Sequence, residues 1–256
     1  MSQGIWTRCG GKSNARELKC KPWRVTECQW IVATRPLVDT DEEQAVLEQL
    51  IDGAKPVLPP GVDFDGLHHL LYSPFRYPPL RHGSRFGGRY ERSLWYAAEE
   101  LRTSFAETAY YRILLFEGTT AKLAPHSMPI SAFQVGVRTK AGVDLSTAAF
   151  KSYVNRICSP VDYTSSQALG SDMRTDGIEA VRFPSARDPD RGINVGLFTP
   201  AAFAAKKPLR TPETWLCTIT AAHDVEFQCE RLTGIDSVGF PRRVFLVDGA
   251  FPTPAT

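Results

Sequence analysis

The apolar segments of this chain are short, and this feature limits the folds that it can adopt. The longest runs, such as residues 113–116 and 195–198, are only a few residues long. A helix that crosses a bilayer needs roughly 20 apolar residues in succession. The sequence therefore predicts a soluble protein built from short strands and amphipathic helices.

The order of the predicted elements favours one fold class. Strands are predicted at residues 93–97, 178–183, 194–198, 215–220 and 225–229. Phe133, Val135 and Val137 alternate as a further strand, which a turn at 139–142 follows. Helices are predicted near residues 99–115 and 165–173. Because strands and helices do not alternate regularly, the pattern indicates an α+β fold rather than a doubly wound parallel sheet.

An amphipathic helix is predicted just before a Pro/Gly cluster at residues 55–61. Thr40 can cap this helix, and Glu43 three residues later completes a capping box. The apolar face of the helix consists of Val46, Leu47, Leu50 and Ile51. We expect this face to pack against the protein core rather than to carry chemistry.

The composition and charge exclude two classes of partner. Thirty Lys and Arg residues balance 28 Asp and Glu residues, for a net charge of +2. No overall electrostatic field attracts nucleic acid or an anionic membrane.

The 256 residues, 43% of them hydrophobic, are typical of one globular domain. The first 22 residues are basic without a following apolar stretch, so we expect a frayed tail rather than a secretory signal, and a cytoplasmic protein.

The cysteines and histidines show no metal or disulfide pattern. The six cysteines are widely spaced and none forms a Cys-x-x-Cys pair, so we expect free thiols and no metal site. His68 and His69 would point in different directions on a regular element, which favours a structural role. The nucleophile elbow, the Walker loop and the dinucleotide-binding glycine motif are also absent.

Arginine and aromatic residues are dense between residues 72 and 112. Arginine binds phosphate through paired N–H donors, and aromatic faces stack on flat rings, so a nucleotide suits both. A solvated basic edge with aromatic side chains tucked against the core would have the same composition. The loop at 83–88 favours the nucleotide, because its glycines let backbone N–H groups approach a phosphate and Arg85 lies within it.

Glu107 lies in the middle of the predicted helix at 99–115. It is either a surface charge paired with Arg112 or Lys122, or a buried carboxylate that faces the loop. Its spacing from the other residues does not separate these alternatives.

Six ordered segments carry a resemblance to a known family. They are Pro74-Phe-Arg-Tyr-Pro-Pro79, Gly83-Ser-Arg-Phe-Gly87, Leu94-Trp-Tyr-Ala-Ala98, Thr103-Ser-Phe-Ala-Glu107, Phe183-Pro-Ser-Ala-Arg187 and Gly192-Ile-Asn-Val-Gly-Leu-Phe198. They resemble the RES-domain proteins, toxins of bacterial toxin–antitoxin pairs that are named for an Arg, a Glu and a Ser. The resemblance extends from about Trp23 to Phe203. Phe105 stands where many members carry a smaller aliphatic residue, and we expect it to tighten the pocket.

The resemblance implies an ADP-ribosyltransferase-like fold, with mixed β-sheets flanked by helices in a single domain. Residues 1–60 are expected to form an N-terminal extension with one amphipathic helix. Residues 61–205 would be the catalytic domain, and residues 206–256 would add C-terminal strands that pack on the same domain.

The resemblance also implies that the chain degrades NAD by cleaving its nicotinamide–ribose bond, through phosphorolysis or hydrolysis. NAD would be the substrate, inorganic phosphate a possible co-substrate, and no resident cofactor is expected. The implied catalytic residues are Glu107, Arg85 and Ser185. The implied NAD-binding residues are Arg76, Tyr77, Arg85, Tyr96 and Ser185. Ser185 would bond the substrate or orient Glu107, and it is not expected to be a nucleophile, because no histidine is marked as its base.

The implied partner is a cognate antitoxin, a small helical or helix-turn-helix protein that covers the cleft. The assembly would be a homodimer or a toxin–antitoxin hetero-oligomer, and Arg89 and Arg187 are expected to be surface or antitoxin-facing residues. Two alternatives remain open. The chain could transfer ADP-ribose to a cellular protein, or it could be a catalytically inactive nucleotide-binding module.

Overall fold

A computed structural model describes residues 4–28, 34–120 and 123–253. The α-helices in these ranges are Ile5–Arg8 (α1), Asp41–Ala54 (α2), His69–Arg76 (α3), Leu101–Glu117 (α4), Val154–Ile157 (α5) and Thr164–Thr175 (α6). The strands are Arg16–Cys20 (β1), Trp23–Glu27 (β2), Trp95–Ala98 (β3), His126–Gln134 (β4), Val137–Asp144 (β5), Ala180–Pro184 (β6), Ile193–Leu197 (β7), Glu213–Ile219 (β8), Val225–Arg231 (β9) and Gly234–Phe240 (β10). No helix in the described part of the chain is long and apolar enough to cross a membrane.

The strands of the described residues form one mixed sheet in the order β1-β5-β6-β7-β3-β2-β4-β8-β9-β10. β5 and β6 are parallel, and the other neighbours are antiparallel. The pairing of β2 with β3 is limited to Trp23 and Ala98. The two strands therefore separate beyond this pair and leave an opening in the sheet.

Side chains alternate between the two faces of the sheet, and each face buries its own helices. On one face, α1 and α6 pack with Val181 and Phe183 of β6, while α4 packs with strands β4, β8 and β9. On the opposite face, α3 packs on Trp95 and Val195. The register places Tyr96 opposite Gly196 and Ala98 opposite Asn194, so Tyr96 and Asn194 share the face that carries α4 and α6.

The predicted α+β class is confirmed. The strand at 93–97 followed by a helix, the helix near 165–173 and the four later strands are present, with ends that differ by a few residues. The prediction around residues 133–142 was wrong in detail. Val135 and Gly136 instead separate strand β4 from strand β5. The residues of the predicted turn are part of β5, where Thr139 pairs with Leu18 of β1. Strands β1, β2 and β10 were not predicted.

The N-terminal residues are folded, contrary to the expectation of a frayed tail. Trp6 in α1 is buried against Phe150, and its indole N–H donates to Asp176 over 2.6 Å. β1 pairs with β5 at one edge of the sheet, and β2 lies between β3 and β4. Residues 1–60 therefore contribute two strands to the sheet in addition to the helix α2.

The capping box of α2 is confirmed, because Thr40 Oγ1 accepts from Glu43 N–H and the Glu43 carboxylate accepts from Thr40 N–H. The expectation that its apolar face packs on the core was wrong. Val46 is 56% exposed and Leu50 is 66% exposed. Local capping therefore defines this helix without burial of its apolar face.

The six cysteines are free thiols, as predicted. His68 and His69 do not point apart, since their rings stack with centroids 4.4 Å apart. His68 precedes α3, and its Nδ1 accepts from Leu70 N–H over 3.3 Å. This contact caps the helix, which is the structural role that was expected.

Candidate active site

A cleft of about 450 Å³ lies where β2 and β3 separate. Its lining comes from α3 and α4, from β2, β3, β6 and β7, and from the segments around residues 78–85, 93–94 and 163. The charged and aromatic side chains that line it are Arg24, Arg85, Tyr96, Glu107, Tyr111, Tyr163 and Phe183. Cationic, acidic and aromatic groups thus meet in one cavity of a size typical for small-molecule ligands.

Glu107 is a half-buried carboxylate that faces this cleft. Its Oε1 accepts from Ser185 Oγ over 2.7 Å and from Asn194 Nδ2 over 2.6 Å. Arg112, a partner considered from the sequence, instead pairs with Glu27, and Lys122 lies outside the described residues. Glu107 is therefore the carboxylate that faces the cleft, held in place by two donors to one of its oxygens.

Ser185 is fully buried behind Glu107 and is not part of the cleft lining. Its Oγ donates to Glu107 and accepts from the backbone N–H groups of Arg187 (3.1 Å) and Asp188 (2.9 Å). A hydroxyl with these three partners is suited to orient the carboxylate. The contact matches one of the two roles that the resemblance implied for Ser185.

The loop that contains Ser185 is tied to the first turn of α4. The Asp188 carboxylate is buried and accepts from Thr103 Oγ1 over 2.7 Å and from Arg102 Nη1 over 2.8 Å. Gly192 lies so close that an added Cβ would be 2.0 Å from Thr103 Oγ1. This packing fixes the distance between the loop and the helix, and thus between Ser185 and Glu107.

Tyr96 supports the glycine loop at 83–88. Its hydroxyl accepts from Phe86 N–H over 3.1 Å and lies 3.0 Å from Ser84 Oγ. Burial raises the pKa of Tyr96 to about 12, so the hydroxyl is protonated at neutral pH. Gly83 has a φ of +70°, and an added Cβ there would be 2.4 Å from the Gly87 carbonyl oxygen. The closed shape of the loop therefore requires glycine at this position.

Arg85 is buried and lies on the cleft wall. Its Nη1 donates to the carbonyl oxygens of Ile157 (3.1 Å) and Ser159 (2.9 Å), and its guanidinium lies 4.6 Å from the centre of the Tyr163 ring. These contacts fix the guanidinium without an acidic partner among them. A positive charge held in this way suits an anionic ligand.

The structure does not bring all the predicted residues together. Arg76 and Tyr77, at the end of α3, are not among the residues that line the cleft. The Arg76 guanidinium instead donates to the carbonyl oxygen of Pro56, and the Tyr77 side chain is 44% exposed. Arg85, Tyr96 and Glu107 do line the cleft, and Ser185 reaches it through Glu107.

Sequence reasoning missed Arg24 as a cleft residue. Arg24 on β2 donates to the Tyr96 carbonyl oxygen, and its guanidinium lies 5.3 Å from the Trp95 ring centre. Burial lowers its pKa to about 10, so it remains charged at neutral pH. The alternation of Trp23 and Val25 with Arg24 was a strand signal, but the segment was assigned to the N-terminal extension.

Asn194 was not predicted as a cleft residue, and Arg187 was predicted at the wrong place. Asn194 lines the cleft and contacts Glu107 directly. Arg187, which was expected at the surface, is only 3% exposed. Its guanidinium lies 3.5 Å from the Tyr110 ring centre, and Nη2 donates to the Tyr163 hydroxyl over 3.2 Å. The prediction for Arg187 is therefore wrong, because the residue belongs to the packing behind the cleft.

Phe105 does not tighten the cleft as expected. It is fully buried, and its ring stacks on Phe227 with centroids 4.3 Å apart and contacts Trp215 edge to face at 4.8 Å. Two residues further along α4, Glu107 points to the cleft instead. The larger side chain at position 105 therefore fills the core between α4 and the sheet.

Comparison with known proteins finds a family model and solved structures that resemble this chain. The sequence model of the RES domain family matches residues 61–220. A chain from the crystal structure of the M. tuberculosis MbcT–MbcA toxin–antitoxin complex aligns with a TM-score of 0.44 and 15% sequence identity, covering 86% of this chain and 93% of that chain. No curated protein matches.

Proposed function

The chain belongs to the RES domain family, and from this membership and the cleft we propose that it is a toxin that cleaves the nicotinamide–ribose bond of NAD. The observation that carries the proposal is the Glu107 carboxylate, fixed by Ser185 and Asn194 in a cleft that also holds Arg24 and Arg85. A carboxylate suits the ribose, cationic groups suit the diphosphate, and aromatic rings suit the two bases of such a dinucleotide.

Arg24 and Arg85 are proposed to bind the diphosphate. Both guanidinium groups line the cleft and are fixed by backbone carbonyl oxygens. Each charge-assisted hydrogen bond contributes about 1.5–3 kcal/mol to binding. Tyr111, whose side chain is exposed, offers a ring face for the nicotinamide or the adenine. Arg76 and Tyr77, whose side chains do not line the cleft, are not assigned to this site.

The proposed reaction needs little acid catalysis. The bond between C1″ of the nicotinamide-side ribose and the pyridinium nitrogen breaks, and its electron pair moves to the nitrogen, so nicotinamide leaves as a neutral molecule. The ribose gains oxocarbenium character in the transition state. The carboxylate of Glu107 offsets this positive charge and accepts a hydrogen bond from the ribose. Water then adds to C1″ and loses a proton, or a phosphate oxygen adds to C1″ instead.

Loss of NAD would arrest growth, so the cell would need to hold the protein inactive. We propose that a cognate antitoxin, a small helical or helix-turn-helix protein, covers the cleft in the cytoplasm. The proposal rests on the family membership and on the open position of the cleft at the separation of β2 and β3.

The test is nicotinamide release by the purified chain without an antitoxin. The protein is incubated with NAD, with and without inorganic phosphate, and the products are separated by chromatography. We expect free nicotinamide, together with ADP-ribose if water is the acceptor or ADP-ribose 1″-phosphate if phosphate is. Absence of nicotinamide under both conditions would refute the proposal.

Glu107→Gln is the matching variant, and Glu117→Gln on the same helix is its control. Glu117 pairs with Arg242 and His223 at the far end of α4. We expect Glu107→Gln to lower NAD cleavage by about 10²–10³-fold, the effect of removing one preorganised electrostatic group, while Glu117→Gln retains it. Labelled ADP-ribose on protein would indicate ADP-ribosyl transfer instead. Growth inhibition that persists with Glu107→Gln would indicate a function without catalysis.

A further inference from the structure

The side chain of Asn194 has a buried oxygen without a partner. Asn194 is 5% exposed, and its Oδ1 has no hydrogen-bond partner among the described residues. A buried polar atom without a hydrogen bond lowers stability, so such atoms in a folded protein call for an explanation. Asn194 lines the cleft, so this buried oxygen belongs to a side chain at the wall of the candidate site.

The orientation of the amide is settled by Glu107. The Glu107 carboxylate is an acceptor, and Asn194 Nδ2 donates to its Oε1 over 2.6 Å. If the amide were turned over, Oδ1 would face a carboxylate oxygen with no proton between them. The nitrogen therefore faces Glu107, and the carbonyl oxygen is directed away from it as an available acceptor.

Glu107 itself has one oxygen that is already engaged. Oε1 accepts from both Ser185 Oγ and Asn194 Nδ2, so an incoming donor is expected at Oε2. Two acceptors, Glu107 Oε2 and the buried Asn194 Oδ1, thus belong to side chains at the cleft wall that are linked by a hydrogen bond. Two neighbouring acceptors suit a ligand with two neighbouring donors, and a ribose carries such a pair in its vicinal hydroxyl groups.

We propose that Asn194 has two roles, in which its amide N–H positions Glu107 and its carbonyl oxygen accepts a hydrogen bond from one hydroxyl of the ribose diol. The other hydroxyl is bound by Glu107. The identification of this ribose as the one on the nicotinamide side rests on the proposed function. Contact with the diol requires a small side-chain adjustment at the cleft wall, of a kind that is common on ligand binding.

The acceptor role is tested by binding rather than by turnover. The probes are ADP-ribose and its 2″-deoxy and 3″-deoxy forms, which lack nicotinamide and therefore report on binding even if the chain does not cleave NAD. We expect the wild-type protein to bind ADP-ribose more tightly than at least one deoxy form by about 3- to 10-fold, the effect of one neutral hydrogen bond. Asn194→Ala should reduce to about 1 the preference over the deoxy form that lacks the Asn194-bound hydroxyl, while the preference over the other form, which depends on Glu107, is reduced less.

The positioning role is tested by the pH dependence of Asn194→Asp. An Asp next to Glu107 forms a carboxyl pair, and repulsion between like charges raises the pKa of the pair. At low pH the Asp carboxyl is protonated, so that its O–H donates to Glu107 and its other oxygen remains an acceptor, as the amide of Asn does. We therefore expect NAD cleavage by Asn194→Asp, relative to wild type, to rise as pH falls from about 8 to about 5, a range within reach of such raised pKa values.

Asn14→Asp is the control. Asn14 Nδ2 is also a hydrogen-bond donor, to the carbonyl oxygens of Cys9 and Gly11, but Asn14 does not line the cleft. Its variant should follow the wild-type pH profile and retain the preference for the diol.

The outcomes separate the two proposals. If wild type releases nicotinamide but Asn194→Ala keeps the full preference for the diol, or Asn194→Asp shows no gain at low pH, the inference is wrong and the proposed function stands. If wild type releases no nicotinamide but the ribose preference depends on Asn194, the diol site stands and the proposed reaction is wrong. Failure of wild type to bind ADP-ribose overturns the inference.

Discussion

Replacement of Ser185 with Ala should lower both stability and activity, because its hydroxyl joins the 185–192 loop to Glu107. The Oγ atom accepts two backbone N–H groups and donates to the carboxylate, all in a fully buried position. Each buried N–H left without a partner costs about 1–3 kcal/mol, and a hydrogen bond to a charged group contributes about 1.5–3 kcal/mol. Because such effects are only partly additive, we expect a loss of about 3 kcal/mol in the free energy of unfolding.

Ser131→Ala is the matched control. Ser131 on β4 is also buried, at 1% exposure, but its Oγ has no hydrogen-bond partner among the described residues. Removal of an unpaired buried hydroxyl should therefore leave stability unchanged or raise it slightly. The measurement is urea unfolding followed by circular dichroism, with equal slopes required so that the midpoints report stability alone.

A loss of less than about 1 kcal/mol for Ser185→Ala, the range of ordinary substitutions, or an equal loss in the two variants would contradict this role of the Ser185 hydroxyl. Activity gives a second measurement. Ser185→Ala removes one of the two hydrogen bonds to Glu107 Oε1. NAD cleavage by this variant should therefore fall below that of Ser131→Ala under conditions in which both variants are folded.

Three further substitutions test the loop at 83–88 and the exposed apolar face of α2. Gly83→Ala should destabilise by about 1–3 kcal/mol more than Gly177→Ala in urea unfolding, since both have positive φ but a Cβ has open space only at Gly177. Tyr96→Phe leaves the Phe86 N–H unpaired and should cost about 1–3 kcal/mol. Because burial raises the pKa of Tyr96 to about 12, the unfolded chain ionises first above pH ~10, so wild type should lose stability between pH ~10 and ~12 more steeply than Tyr96→Phe. Leu50→Lys should change the unfolding free energy by less than about 0.5 kcal/mol, and a larger loss would show that the exposed face of its helix is packed.

Several local features could be predicted because their signals lie within a few residues of each other. The capping box of Thr40 and Glu43, the strand that leads into α4, and the glycine loop around Arg85 each depend on neighbours in sequence. The resemblance of the ordered segments to the family also placed Glu107 and Ser185 in the same candidate site. It did not show that the two side chains are hydrogen-bonded to each other.

The contacts of the site were decided by the tertiary structure. Glu107 meets Ser185 across 78 residues of sequence and Asn194 across 87, and no local pattern encodes such pairs. The sheet order brings Arg24 of β2 next to β3 and thus to the cleft, while the end of α3 turns Arg76 toward Pro56. The sequence by itself determined which short elements form and which residue types are available. The packing of α4 on the sheet determined which of them face one another, because side-chain direction depends on register and helix orientation rather than on residue identity.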